Sequence, residues 1–118
     1  MIENLTKSDF IEKFFNFDET EEWNYNGDLP CIMMFYSDNC VPCLRFRPTF
    51  TELAEEYKDK IIFYEINIDI EIDMNIAFDV DKVPTLIFVP VNGEPSLNGG
   101  SLPKELMIQA INMTLLQD

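Results

Sequence analysis

The chain has no histidine and only three cysteines among its 118 residues. Without histidine, neither a Ser–His nor a Cys–His nucleophile pair can be assembled. A structural zinc site takes four Cys or His ligands, and one copy of this chain supplies at most three. Neither a metal nor a bound cofactor is therefore expected. An odd cysteine count in so short a chain does not read as a disulfide framework either. Basic residues are also scarce, with 8 Lys and Arg against 22 Asp and Glu and a formal net charge of −14. Phosphate backbones and anionic lipid surfaces are held by Lys and Arg clusters, so neither nucleic acid nor membrane is an expected partner. The longest apolar runs, around Cys31–Tyr36 and Thr85–Val91, fall far short of the ~18 residues that a membrane span requires. No basic and apolar leader with a small-residue cleavage site opens the sequence. The expected location is the cytoplasm, where free thiols persist, or an extracytoplasmic compartment if a leader has been removed.

What is present is ordinary globular material. Hydrophobic residues make up 47% and charged residues 25%, which argues against disorder. The length suits one domain over residues 1–118, burying roughly two-thirds of its unfolded surface. The acidity reads as a self-repelling surface that favours a monomer.

Apolar spacing orders the elements as strand, helix, loop, strand, helix, strand, helix, strand, strand, helix. Met1–Leu5 can form a short strand. Thr6 and Ser8 are candidate helix caps, followed by Phe10, Phe14 and Phe17 at helical spacing. The acidic stretch from Asp18 to Pro30 reads as a long surface connection that Trp23 and Tyr25 pin to the body. Cys31–Tyr36 and Thr85–Val89 are continuous apolar runs of strand length, as strands covered on both faces require. Ile61–Ile68 places Ile62, Tyr64, Ile66 and Ile68 on one face. Its other face begins with Ile61 and Phe63 but turns polar at Glu65 and Asn67. Phe46, Phe50, Leu53, Ala54 and Tyr57 mark one long helix, interrupted by Pro48. Ile70–Phe78 is a weaker helical candidate, and Glu94–Gly99, with Pro95 near its start, reads as an edge strand. Pro103 suits the first turn of a terminal helix whose expected buried stripe is Leu102, Leu106, Ala110 and Met113. Strands separated by helices indicate an α/β fold, a central mixed sheet with helices on both faces.

Cys40-Val41-Pro42-Cys43 falls between a buried strand and the start of the long helix. A helix N-terminus carries about half a positive charge and free amide donors, which stabilise a thiolate there. Cys40 is expected at the helix cap, exposed, with Cys43 one turn further in and close enough to close a small disulfide ring. Pro42 fits the first turn and stiffens that ring. A CxxC pair by itself also serves as half a zinc site; the strand–CxxC–helix setting favours redox chemistry. Cys31, nine residues earlier, reads as a buried small hydrophobe rather than a regulatory thiol.

The stretch Met34-Phe35-Tyr36-Ser37-Asp38-Asn39-Cys40-Val41-Pro42-Cys43, with Pro48 after it, resembles the thioredoxin family. Val83-Pro84-Thr85, Asn67-Ile68-Asp69 and Gly100-Ser101-Leu102 match further landmarks of that family in order and spacing, so the likeness covers nearly the whole chain. The resemblance implies the thioredoxin fold and protein dithiol–disulfide exchange, with Cys40 as exposed nucleophile and Cys43 as resolving cysteine. It implies a cis proline at Pro84 facing the dithiol, with the Val83 backbone presented to an extended substrate peptide and Thr85 completing that loop. It implies disulfide-containing protein substrates, and a thioredoxin reductase using flavin and NADPH as electron donor.

The departures are specific. Asn39 stands in place of the family's tryptophan, and Val41 in place of the glycine in the ring, where reduction potential is tuned. Met34 stands where the family keeps a buried aspartate, and Glu65 where it keeps that acid's lysine partner. Arg47 replaces a small residue one turn after Cys43. A relocated pair, Glu65 as acid and Arg47 as cation, is one reading of these three changes; side chains reaching separately to solvent is the other. Arg45, by helical phase, points away from the site. The alternative function is an interaction module on the same scaffold, with an incidental or regulatory dithiol.

Overall fold

The computed structural model describes residues 2–116. A five-stranded mixed sheet is built from β1 (Ile2–Asn4), β2 (Cys31–Tyr36), β3 (Ile62–Asn67), β4 (Thr85–Val89) and β5 (Ser96–Gly99). Four helices accompany it: α1 (Lys7–Lys13), α2 (Val41–Glu56), α3 (Ile72–Ala77) and α4 (Lys104–Thr114). The strand order is β1-β3-β2-β4-β5. β1 and β2 run parallel to β3, whereas β4 is antiparallel to β2 and to β5. The order of elements agrees with the apolar spacing; Met1, assigned above to the first strand, lies outside the described residues.

Alternation in the central strands sends side chains into two separate cores. Ile32, Met34, Phe63, Leu86 and Phe88 meet Phe46, Phe50 and Leu53 of α2 and Met107 and Ile111 of α4. Cys31, Met33, Phe35, Tyr64, Ile66 and Ile87 meet Phe10 of α1 and Met74 of α3 on the other face. Helices thus cover both faces, as expected. Each fully buried Phe or Ile of this kind stabilises the fold by roughly 1.5–3 kcal/mol relative to exposure.

Local sequence explains several boundaries. Thr6 caps α1: its hydroxyl accepts from the Asp9 amide at 3.1 Å while Asp9 reaches back to the Thr6 amide, a reciprocal capping box. The helix ends at Lys13, so Phe17 lies beyond it, contrary to the helical spacing of Phe10, Phe14 and Phe17. The reason is aromatic packing. Phe14 stacks on Phe10 at 4.5 Å and on Tyr25 at 4.7 Å, and Trp23 sits 5.7 Å from both Phe14 and Phe15. Trp23 and Tyr25 therefore do pin the 18–30 connection to the body.

The stripe assigned to the last helix is half right: Leu102 and Ala110 pack against the core, but Leu106 and Met113 do not belong to the buried face. Met107 and Ile111 are fully buried, whereas Leu106 is 45% and Met113 67% exposed. This helix is apolar around much of its circumference, so spacing permits several phases and the sheet selects one. Pro103 is its N-cap rather than a first-turn residue. α3 is shorter than the 70–78 candidate, and β5 begins at Ser96 rather than Glu94.

Candidate active site

Four connections converge at one end of the sheet. β2 and β3 are parallel, with Tyr36 opposite Asn67, so the segments that follow both strands leave on the same side. Asn67, itself buried, ties them together, since its side-chain amide lies 3.4 Å from the Asp38 carboxylate. β4 starts at this end, and the Gly100 amide donates to the Pro84 carbonyl at 2.8 Å, which brings in the end of β5.

Cys40 sits at this convergence as the N-cap of α2, with extended backbone. Val41 and Pro42 are the first two helical residues and Cys43 the third, so the amide of Cys43 is a free helix-terminal donor aimed back at the cap. It donates to Cys40 Sγ at 3.0 Å. The two cysteines form a disulfide with Cα atoms 5.2 Å apart. The pair expected from CxxC spacing is thus brought together.

The expectation that Cys40 is exposed is corrected. It is 6% exposed against 3% for Cys43. In the closed ring each sulfur covers the other, and the Val83 carbonyl oxygen lies 3.4 Å from Cys40 Sγ. The loop that carries this carbonyl has a cis Val83–Pro84 bond, as the resemblance implied. Pro84 is buried, and the Thr85 hydroxyl donates to the Lys82 carbonyl at 2.6 Å, closing the turn before β4.

Met34 is fully buried and directly opposite Glu65 in the β2–β3 register, so both project toward α2. Glu65 is not left alone there. Arg47 lies four residues beyond Cys43, one turn along the same helical face, and donates to the Glu65 carboxylate at 2.7 Å. Its guanidinium also lies 5.1 Å from the centre of the Tyr36 ring. The acid and the cation singled out in the sequence are therefore a pair, partly open to water, with 20% of Glu65 and 36% of Arg47 exposed. Burial and the neighbouring Glu65 charge raise the Tyr36 phenol above its usual range. Arg45 is exposed, as its phase required. Sequence reasoning missed Asp38 and Asn67 as partners; the polar turn of the β3 face at Asn67 was the one available signal.

Cys31 takes no part. It is fully buried on the other face, and burial pushes its thiol up to about 12, opposed by contact with the Tyr25 hydroxyl.

A model of the thioredoxin domain matches residues 14–113. The chain belongs to the thioredoxin family. It is 37% identical to a thioredoxin of Borreliella burgdorferi over 102 residues, 86% of this chain and 87% of that one. It is 30% identical to a Haemophilus influenzae thioredoxin over 74% of this chain and 81% of the relative. It is also 34% identical to Drosophila melanogaster thioredoxin-T over 49% of this chain and 37% of that protein. With its cysteine pair at bonding distance on a thioredoxin fold, the chain is a thioredoxin-type dithiol–disulfide oxidoreductase. Proteins of this family act on disulfide-bearing proteins and are served by reductases. Among the described residues no helix is long and apolar enough to cross a membrane.

Proposed function

We propose that the chain reduces protein disulfides through Cys40 as nucleophile and Cys43 as resolving cysteine. The carrying observation is the position of Cys40 Sγ at the cap of α2, accepting from the Cys43 amide. In the reduced protein the same donor and the helix dipole stabilise a Cys40 thiolate. That thiolate attacks a substrate sulfur, forming a Cys40–substrate disulfide and releasing the other substrate sulfur as a thiolate. Cys43, deprotonated, then attacks Cys40 Sγ. The second substrate thiolate departs and takes a proton, and the Cys40–Cys43 bond of this structure is formed. Two electrons have passed to the substrate, and its two sulfurs end protonated, one proton matching that lost by Cys43 and the other supplied by water.

Val83, Pro84 and Thr85 form the wall against which a substrate chain lies, with the Val83 backbone beside Cys40. Val41 and Pro42, inside the ring, tune the balance between its open and closed forms. Glu65, held by Arg47, receives the Cys43 proton during resolution. The electron donor is a flavin- and NADPH-dependent thioredoxin reductase, and the protein works as a monomer in the cytoplasm, where the free Cys31 thiol is stable.

The test is trapping. Cys43→Ser is expected to accumulate mixed disulfides with substrate through Cys40, and Cys40→Ser to abolish insulin reduction. Persistent reduction by Cys40→Ser overturns the assignment. Partner binding that survives in Cys40→Ser/Cys43→Ser without any reductive activity in the wild type favours an interaction module.

A further inference from the structure

We infer that this protein selects disulfides flanked by Lys and Arg, through acids in the connections at the dithiol end of its sheet. The inference rests on the Cys40–Cys43 reading above. The connections at 37–40, 68–71 and 79–84 carry Asp38, Asp69, Glu71, Asp79 and Asp81 against one cation, Lys82. Lys82 runs its stem along the end of β5, where a Cβ on Gly99 would meet its Cε at 2.8 Å. Glu71 accepts from the Lys7 amide, and Lys7 Nζ is taken by Asp18 and Asp73. Among the described residues, no ion pair neutralises Asp38, Asp69 or Asp81, and all three are exposed. Asp38 is two residues before Cys40, Asp69 is two after the Asn67 that reaches Asp38, and Asp81 is two before Val83.

Exposed apolar side chains accompany these acids, in the first turns of α2 and in the connection after β3. Val41 is 55%, Leu44 61% and Ile70 71% exposed. Exposed apolar and unpaired anionic side chains at the same end of the sheet fit a partner of matching pattern: a disulfide next to apolar side chains and flanked by cations. Charge of this kind acts on encounter and orientation more than on the chemical step. The opposite end of the sheet also carries exposed acids, Asp28, Asp59 and Glu94, before β2, before β3 and between β4 and β5. They supply a control for net charge alone.

The probes are three short cyclic peptide disulfides, identical except for two Lys, two Glu or two Gln on each side. The pre-reduced full-length protein is mixed with each, and the second-order rate is divided by that with dithiothreitol, which removes the effect of the flanks on the peptide itself. The Lys peptide is expected to react about tenfold faster than the Glu peptide at low salt, within the 10–10³ range of electrostatic steering. The ratio should fall below about three at ~0.5 M salt, where screening reaches only a few ångströms. The variant Asp38→Asn/Asp69→Asn/Asp81→Asn should lose most of the preference, whereas Asp28→Asn/Asp59→Asn/Glu94→Gln should keep it. Equal rates for the Lys and Glu peptides, or equal loss in both variants, overturn the inference while reduction of the Gln peptide leaves the dithiol reading intact. Failure to reduce the Gln peptide overturns both.

Discussion

Arg47 and Glu65 meet at 2.7 Å one helical turn past Cys43, on the same sheet face as the buried Met34. The acid reaches this spot from β3 rather than from the strand that leads to the dithiol, and its counter-charge comes from the helix that carries Cys43. In the proposed reaction this carboxylate, partly open to solvent, takes the proton that leaves Cys43.

Glu65→Gln is expected to slow the release of substrate from the mixed disulfide by about three- to tenfold near pH 7. An enclosed base contributes more, typically 10²–10⁴-fold; here Glu65 is 20% exposed and water competes for the proton. The deficit should shrink as pH rises, because hydroxide increasingly takes the thiol proton without a protein base. Single-turnover release as a function of pH measures this, and an unaltered profile removes Glu65 from the proton path. Stability should fall by no more than about 1 kcal/mol, since the pair is partly solvated.

Met34→Asp should destabilise the fold by about 3 kcal/mol or more at pH 7. An acid there is fully buried and directly opposite the Glu65 carboxylate, so desolvation and like-charge repulsion act together. Urea unfolding reads the loss. Met34→Asp/Glu65→Gln should recover part of it, and no recovery would show that repulsion contributes nothing.

Cys31 gives the protein an alkaline weakness. Its thiol moves from 9.0 to about 12 on folding because burial penalises the thiolate, and burial likewise raises the Tyr64 phenol to about 12. Between about pH 9 and 12 the folded state therefore holds more protons than the unfolded state, and stability falls as pH rises. The urea midpoint should decline across this window, less steeply in Cys31→Ala. Iodoacetamide at pH 8 should modify the reduced native protein at Cys40 while sparing the buried Cys31 until denaturant is added; early labelling of Cys31 would contradict its burial.

Thr6→Ala should cost about 1 kcal/mol, the usual worth of an N-cap side chain. It deletes the acceptor for the Asp9 amide and leaves Asp9 bound to the cap at one point only. Peptide reduction rates should not change, because α1 packs on the sheet face away from α2. A urea midpoint equal to that of the wild type would mean water replaces the hydroxyl without loss.

By itself the sequence determined much of what depends on neighbours along the chain. Continuous apolar runs named β2 and β4 to the residue, Thr6 announced its helix, and Cys40-Val41-Pro42-Cys43 placed two sulfurs one turn apart at a positive helix end. Such features follow from backbone geometry within a few residues, so letters at fixed spacing carry them. The tertiary structure alone decided what joins distant segments. Nothing local tells whether Arg47 faces Glu65 or water, and α4, apolar around much of its circumference, hides which stripe is inside until the sheet buries Met107 and Ile111. The exposure of Cys40 was misjudged for the same reason: its cover includes the Val83 carbonyl, 43 residues along the chain, and only packing brings that oxygen to the sulfur.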